Sequence, residues 1–171
     1  GELIPFTPML GIQHTLFQQF WLEAQVSRSF RLPTFNDLYW QPGGNPDLQS
    51  EQGWSQELGA KWLPKQVKTP LELSLTAFNR NIDNWILWRP GDRFWAPLNI
   101  ARVWSRGLEQ RFQLKKKSTL WHWAIKQGYD WIRSTQEEAA TDAAVGKQLI
   151  YTPEHQAFAT LTLGFRQLQV R

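Results

Sequence analysis

The sequence contains no cysteine, which excludes disulfides and any metal centre built on thiolates. No stretch approaches the ~18 uninterrupted apolar residues of a membrane helix, and the mean hydropathy is −0.49. Neither fact excludes a membrane, because a barrel strand needs apolar residues only at alternate positions. The three histidines, His14, His122 and His155, lie far apart and follow no metal-ligand spacing. No Ser-His-Asp grouping, phosphate-cradling loop or nucleotide fingerprint is present. Gly43-Gly44 is a lone pair in a Pro-rich loop and reads as a turn. The chain is therefore expected to be no enzyme and to carry no metal or cofactor. Its start, Gly1-Glu-Leu-Ile, has neither the basic end nor the apolar core of a secretory signal. A mature form or an internal piece is expected.

Charge of one sign is also scarce. Nineteen Lys and Arg face fifteen Asp and Glu, for a net charge of +4. The basic residues are scattered, apart from Lys115-Lys116-Lys117. That triplet falls between two strand patterns and reads as a solvated turn, so no nucleic-acid partner is expected.

What the chain does have is tryptophan, eleven in 171 residues. An apolar ring with one polar N–H suits a membrane–water interface or a ligand-binding surface. The plainer alternative is a Trp-rich soluble core.

Period-two alternation dominates the pattern and points to an all-β fold. Phe20, Leu22, Ala24 and Val26 share one face, and Trp21, Glu23 and Gln25 the other. Leu71, Leu73, Leu75 and Ala77 alternate with Glu72, Ser74 and Thr76. Trp121, Trp123, Ile125, Tyr129 and Trp131 oppose His122, Lys126 and Asp130. Ala157, Ala159, Leu161, Leu163 and Phe165 repeat the theme. Trp54, Leu58, Ala60 and Trp62 do so against Ser55, Glu57 and Lys61. No convincing amphipathic helix is visible. Seven strands and the start of an eighth are expected at 9–17, 20–30, 54–63, 70–88, 99–114, 119–134, 149–164 and 168–171. Short connections at 18–19, 64–69, 115–118 and 165–167 alternate with long ones at 31–53, 89–98 and 135–148. Short turns on one side and long loops on the other fit an outer-membrane barrel better than a soluble sandwich.

Two blocks carry a resemblance. The first is Ser29-Phe-Arg-Leu-Pro-Thr-Phe-Asn-Asp-Leu-Tyr-Trp40, followed by Gly44-Asn-Pro-Asp-Leu-Gln-Ser-Glu51. The second is Ile82-Asp-Asn-Trp-Ile-Leu-Trp-Arg-Pro90, then Trp95-Ala-Pro-Leu-Asn99 and Val103-Trp-Ser-Arg-Gly-Leu-Glu109. Their order and spacing resemble the barrel domain of TonB-dependent outer-membrane receptors, most closely the cobalamin-receptor type. The resemblance implies an antiparallel transmembrane β-barrel, here an incomplete segment of about eight strands. A plugged transporter of this class has about 22 strands. The plug domain, the TonB box and the C-terminal strands are expected to lie outside residues 1–171. It also implies active uptake of a scarce nutrient, with cobalamin favoured over an iron-siderophore or haem. The implied partners are the plug domain of the same receptor, the TonB complex, outer-membrane lipids and, over the loops, a surface lipoprotein. A soluble Trp-rich β-sandwich that binds carbohydrate is the alternative, with a passive porin behind it.

Within this frame, Pro33 removes a backbone donor and ends a strand. Arg31 is expected to anchor the following loop to Asp37 or Glu51. Glu57, Glu72 and Glu109 are expected to line the lumen in ion-paired networks. Phe35, Tyr39 and Trp40 sit in a long outer loop with little core to fill, and Trp88 and Trp95 flank the next one. These five are the ligand-binding candidates, with packing inside the loops as the competing role.

Overall fold

The computed structural model describes residues 5–64, 70–91, 93–138, 145–150, 152–165 and 168–170. The alternating stretches become β1 (Met9–Phe17), β2 (Phe20–Arg31), β3 (Glu51–Trp62), β4 (Leu71–Pro90), β5 (Trp95–Lys117), β6 (Trp121–Glu138), β7 (His155–Phe165) and β8 (Leu168–Val170). They form one sheet in sequence order, each strand antiparallel to its neighbours. Among the described residues β1 and β8 do not meet, so the sheet is open.

Register decides what this sheet is for, because side chains opposite one another on paired strands share a face. Ala24, Leu58, Ala77, Leu108 and Trp131 lie in one row; Leu22, Ala60 and Leu75 lie in the next. Every apolar stripe read from the sequence thus falls on the same face. That face is uncovered: Leu58 is 59% exposed and Leu161 53%. A β-sandwich would bury it against a second sheet, and none is present among the described residues. The polar side chains of His14, Gln110, Lys116 and Gln127 interrupt the face. The opposite face carries Glu23, Glu57, Lys61, Glu72, Arg80, Glu109, Arg111, Lys126 and Asp130. The arrangement is inside out relative to a water-soluble sheet and matches a barrel wall, apolar outside and polar within. No helix is long and apolar enough to cross a membrane, which says nothing of strands.

The apolar stripe on β6 runs from Trp121 to Trp131. Ten residue steps at about 3.3 Å on a strand tilted by about 40° give a band roughly 25 Å tall. Aromatic rings mark its edges. Phe17 stacks on Phe20 and Trp121 packs against Phe165 near the short turns. At the other edge the Trp131 indole donates to Glu154 (3.1 Å), and Tyr129 shares a hydrogen bond with His155 (2.8 Å).

Four expectations need correction. The expected long connection at 89–98 is shorter, because β4 and β5 continue as a two-stranded arm to Pro90 and Trp95, beyond which the Gly91 amide donates to the Phe94 carbonyl. Neither β3 nor β6 pairs with that arm beyond Asp83 and Arg102, so Pro90 and Pro97 can face free edges without breaking a ladder. Of the strand expected at 149–164, the described residues before His155 form none. The Gln148 side chain substitutes for a ladder there, accepting from the Ser134 amide and donating to the Thr152 carbonyl. Lys115–Lys117 are solvated, as expected, yet they end β5 opposite Ala124, Trp123 and His122. Finally, a short helix, α1 (Phe35–Tyr39), occupies the first long connection. The eighth strand starts at Leu168 as expected; Arg171 lies outside the described residues.

Among the described residues, the buried apolar cluster is small and lies beyond the band. Ile100, Val103 and Leu149 pack with Trp85, Leu87 and Leu98 where the arm leaves the sheet.

Candidate functional site

The end of the sheet that carries the long connections holds all five candidate residues. Its foundation is polar. Pro33 ends the β2 ladder and Thr34 caps α1 in a capping box. The Asp37 amide donates to the Thr34 hydroxyl, while the Thr34 amide (2.8 Å) and hydroxyl (2.7 Å) donate to Asp37 Oδ2. Asp37 Oδ1 accepts from the Trp88 indole of β4 at 2.9 Å. One buried carboxylate therefore ties the loop helix to the arm. Burial pushes the Asp37 carboxyl up, but the Thr34 and Trp88 hydrogen bonds and the Arg31 charge outweigh it. Its pKa is held below the ordinary carboxylate value.

Glu51 forms the second tie. Arg31 grips it with two hydrogen bonds, Nε to Oε2 at 2.8 Å and Nη2 to Oε1 at 2.5 Å. Glu51 Oε1 also accepts the Ile86 amide of the arm at 2.8 Å. The hydrogen bonds to Glu51 raise the Arg31 pKa above its ordinary value. Of the two partners expected for Arg31, Glu51 is the direct one and Asp37 acts only through its charge. Asn99 is the third tie: its side chain accepts from the Gln49 amide and donates to the Gln49 and Asn84 carbonyls. The Asn45 side chain donates to the Pro97 carbonyl at 3.3 Å. Gly43 lies so close to the Trp95 backbone that a Cβ would clash with its carbonyl.

On this frame the candidates divide. Phe35 is 77% exposed and touches Tyr39, ring centroids 5.0 Å apart. Tyr39 and Trp40 are each 53% exposed, and Trp95 is 44% exposed at the tip of the arm beside Phe94. Trp88 is different: half-buried, with its N–H committed to Asp37, it supports the loop. Phe35, Tyr39, Trp40 and Trp95 offer apolar rings on a rigid base, suited to a large ligand with apolar surface. Reading the residues alone passed over Asp37 as the link to Trp88. The Thr34-x-x-Asp37 spacing after Pro33 is a capping signal that was there to be found.

Below the loop, the polar face holds the expected networks. Lys61 pairs with Glu72 (2.5 Å) and Arg80 with Glu57 (2.8 Å). Arg111 joins Asp130 and reaches Glu109 at 3.7 Å. Among the described residues, no group of three or more His, Asp or Glu could hold a metal ion.

Comparison with known proteins agrees with this geometry. The family described as "TonB dependent receptor-like, beta-barrel" matches residues 5–170. The chain is similar to the vitamin B12 transporter BtuB of Photobacterium profundum, 30% identical over 108 residues, which is 60% of this chain and 17% of that protein. It is also similar to BtuB of Vibrio vulnificus strain YJ016, 34% identical over 103 residues, 58% of this chain and 16% of that protein. The matched part thus spans about a sixth of these relatives. Among solved structures, the siderophore receptor PirA from Pseudomonas aeruginosa superposes with a TM-score of 0.60 at 16% identity, covering 95% of this chain and 31% of that one. The copper transporter OprC gives 0.59 at 12% identity, covering 91% and 30%. At these identities the structural likeness concerns the fold. The relatives are named as transporters and receptors, and none as an enzyme.

Proposed function

This chain belongs to the TonB-dependent receptor-like β-barrel family, and on that premise we propose that it is a wall segment, with outer loops, of an outer-membrane active transporter. The transporter takes up a scarce nutrient with energy supplied through TonB. Cobalamin is the favoured substrate. The barrel wall is passive: it seals against lipid, holds the loops and presents a polar lining to the plug domain.

The observation that carries the reading is the inside-out sheet. An exposed apolar band ringed by aromatics backs onto a face of ion pairs, and that combination is stable only with lipid on one side. Two similarities to BtuB support cobalamin over a siderophore. The exposed rings of Phe35, Tyr39, Trp40 and Trp95 suit the apolar edge of a corrinoid, and their anchored base limits the entropy lost on binding.

The test uses the full receptor that contains this chain, purified in detergent. Cobalamin and a ferric siderophore are titrated in parallel, on the wild type and on a Phe35→Ala/Tyr39→Ala/Trp40→Ala variant. Cobalamin binding that weakens at least tenfold in the variant is expected. Siderophore binding without cobalamin binding moves the assignment to iron uptake. Equal binding by the variant removes the ligand role of these rings.

A further inference from the structure

The apolar face does not end gradually. Below the edge lie Ala24, Leu58, Ala77, Leu108 and Trp131. The next row up on the same face is Val26, Gln56, Asn79, Arg106 and Arg133. This second row sits at headgroup height if the band spans the hydrocarbon.

Arg106 and Arg133 are directly opposite each other on β5 and β6. Like charges in that position repel and weaken a sheet unless something neutralises them. Among the described residues, nothing in the sheet does so. Neither arginine forms an ion pair among the described residues, and the nearby carboxylates are engaged elsewhere. Asp83 pairs with Arg102, Glu154 accepts from the Trp131 indole and Glu137 accepts from the Thr135 hydroxyl. Arg106 is nonetheless held in place. Its guanidinium lies 3.6 Å over the Trp104 ring, and Nη1 donates to the Thr135 hydroxyl at 3.2 Å. The Trp104 indole is itself fixed by Asn79 at 2.6 Å. A positioned guanidinium with spare donors stands beside an exposed one, directly above an apolar surface.

A guanidinium pair with a lipid-facing floor fits an anion that carries acyl chains. The fork geometry matches phosphate oxygens, and basic groups at a membrane surface attract anionic headgroups. We propose that Arg106 and Arg133 together hold the phosphate of a lipid headgroup in the outer leaflet, with its chains lying on Leu108, Tyr129 and Trp131. The inference rests on the barrel-wall reading above.

The test again uses the full receptor, in detergent, incubated with a bis-phosphorylated glucosamine lipid and weighed by native mass spectrometry. The wild type is expected to retain the lipid. Arg106→Gln/Arg133→Gln is expected to lose at least tenfold in the retained fraction, while Arg80→Gln, on the polar face, retains it. Arg133→Gln alone changes an exposed side chain and is expected to show a smaller loss without any effect on folding. Retention unchanged in the double variant, or lost equally in Arg80→Gln, overturns the site. Displacement of the lipid by excess inorganic phosphate alone assigns the pair to soluble anions and overturns the lipid assignment. Heat-modifiable gel mobility and lipid insertion are followed in parallel. A wild type that does not insert refutes the barrel reading itself, whereas one that inserts without arginine-dependent retention refutes only this site.

Discussion

Replacing Asp37 by asparagine leaves one oxygen where two are needed. Thr34 and Trp88 then compete for it, and a buried donor without a partner costs about 1–3 kcal/mol. Asp37→Asn is expected to leave the barrel folded while residues 34–47 lose protection in hydrogen–deuterium exchange. Unchanged protection would show that the capping box is dispensable. The same carboxylate makes a pH prediction. Its folded pKa is depressed, so its contribution is fully present above the unfolded value near ~3.9 and fades as pH falls through the lower folded value. The protection factor of this loop, the exchange rate relative to the intrinsic rate at the same pH, should be flat from neutral pH down to about 4 and fall below it. A fall in protection between pH 7 and 5 would point to a different group. Glu51 has a complementary weakness. Arg31→Ala removes both guanidinium bonds from a carboxylate that stays buried against the Ile86 amide. Faster proteolysis within 32–50 is the expected result.

Strands behave by different rules, and glycine shows how. The atoms nearest a Cβ on Gly128 would all belong to the Phe158 ring, whereas those nearest one on Gly107 would include the Trp131 carbonyl as well as the Phe78 ring. Gly128→Ala should reduce folding yield, and a second change, Phe158→Ala, should restore part of it. Gly107→Ala should resist rescue by Phe78→Ala, because backbone cannot step aside. Folded fraction by heat-modifiable mobility measures both, and equal rescue at the two sites would contradict the assignment. Elements of this kind were largely legible in the sequence. Strict alternation from Phe20 to Val26 or Leu71 to Ala77 leaves no other period, and one shared face then fixes the register. The arm at Ile86–Asn99 was hidden because Pro90 and Pro97 read as loop, and only the missing third strand makes them tolerable. The helix at Phe35 was hidden for another reason. Five residues are too few to show a 3.6-residue period, so the cap was the sole signal. The candidate rings were visible as residue types. Which of them would be a strut and which would face outward depended on the 51-residue separation between Asp37 and Trp88, which no local pattern records.

At the scale of the molecule, the two faces of the sheet should respond oppositely to charge. Leu161→Arg places a guanidinium in the middle of the apolar band and is expected to cost about 2–4 kcal/mol in lipid-vesicle unfolding, while Thr162→Arg on the polar face costs far less. Similar penalties on both faces would mean that the apolar face does not meet hydrocarbon. The band between the Trp121 and Trp131 girdles has one more consequence. It is a gauge of thickness. A bilayer core of roughly 30 Å would swallow the upper girdle and the arginines beyond it, whereas a thinner one of roughly 25 Å leaves them at the surface. The wall is thus tuned to short acyl chains, and lengthening those chains, with sequence and temperature held constant, should slow its insertion and strain its edges.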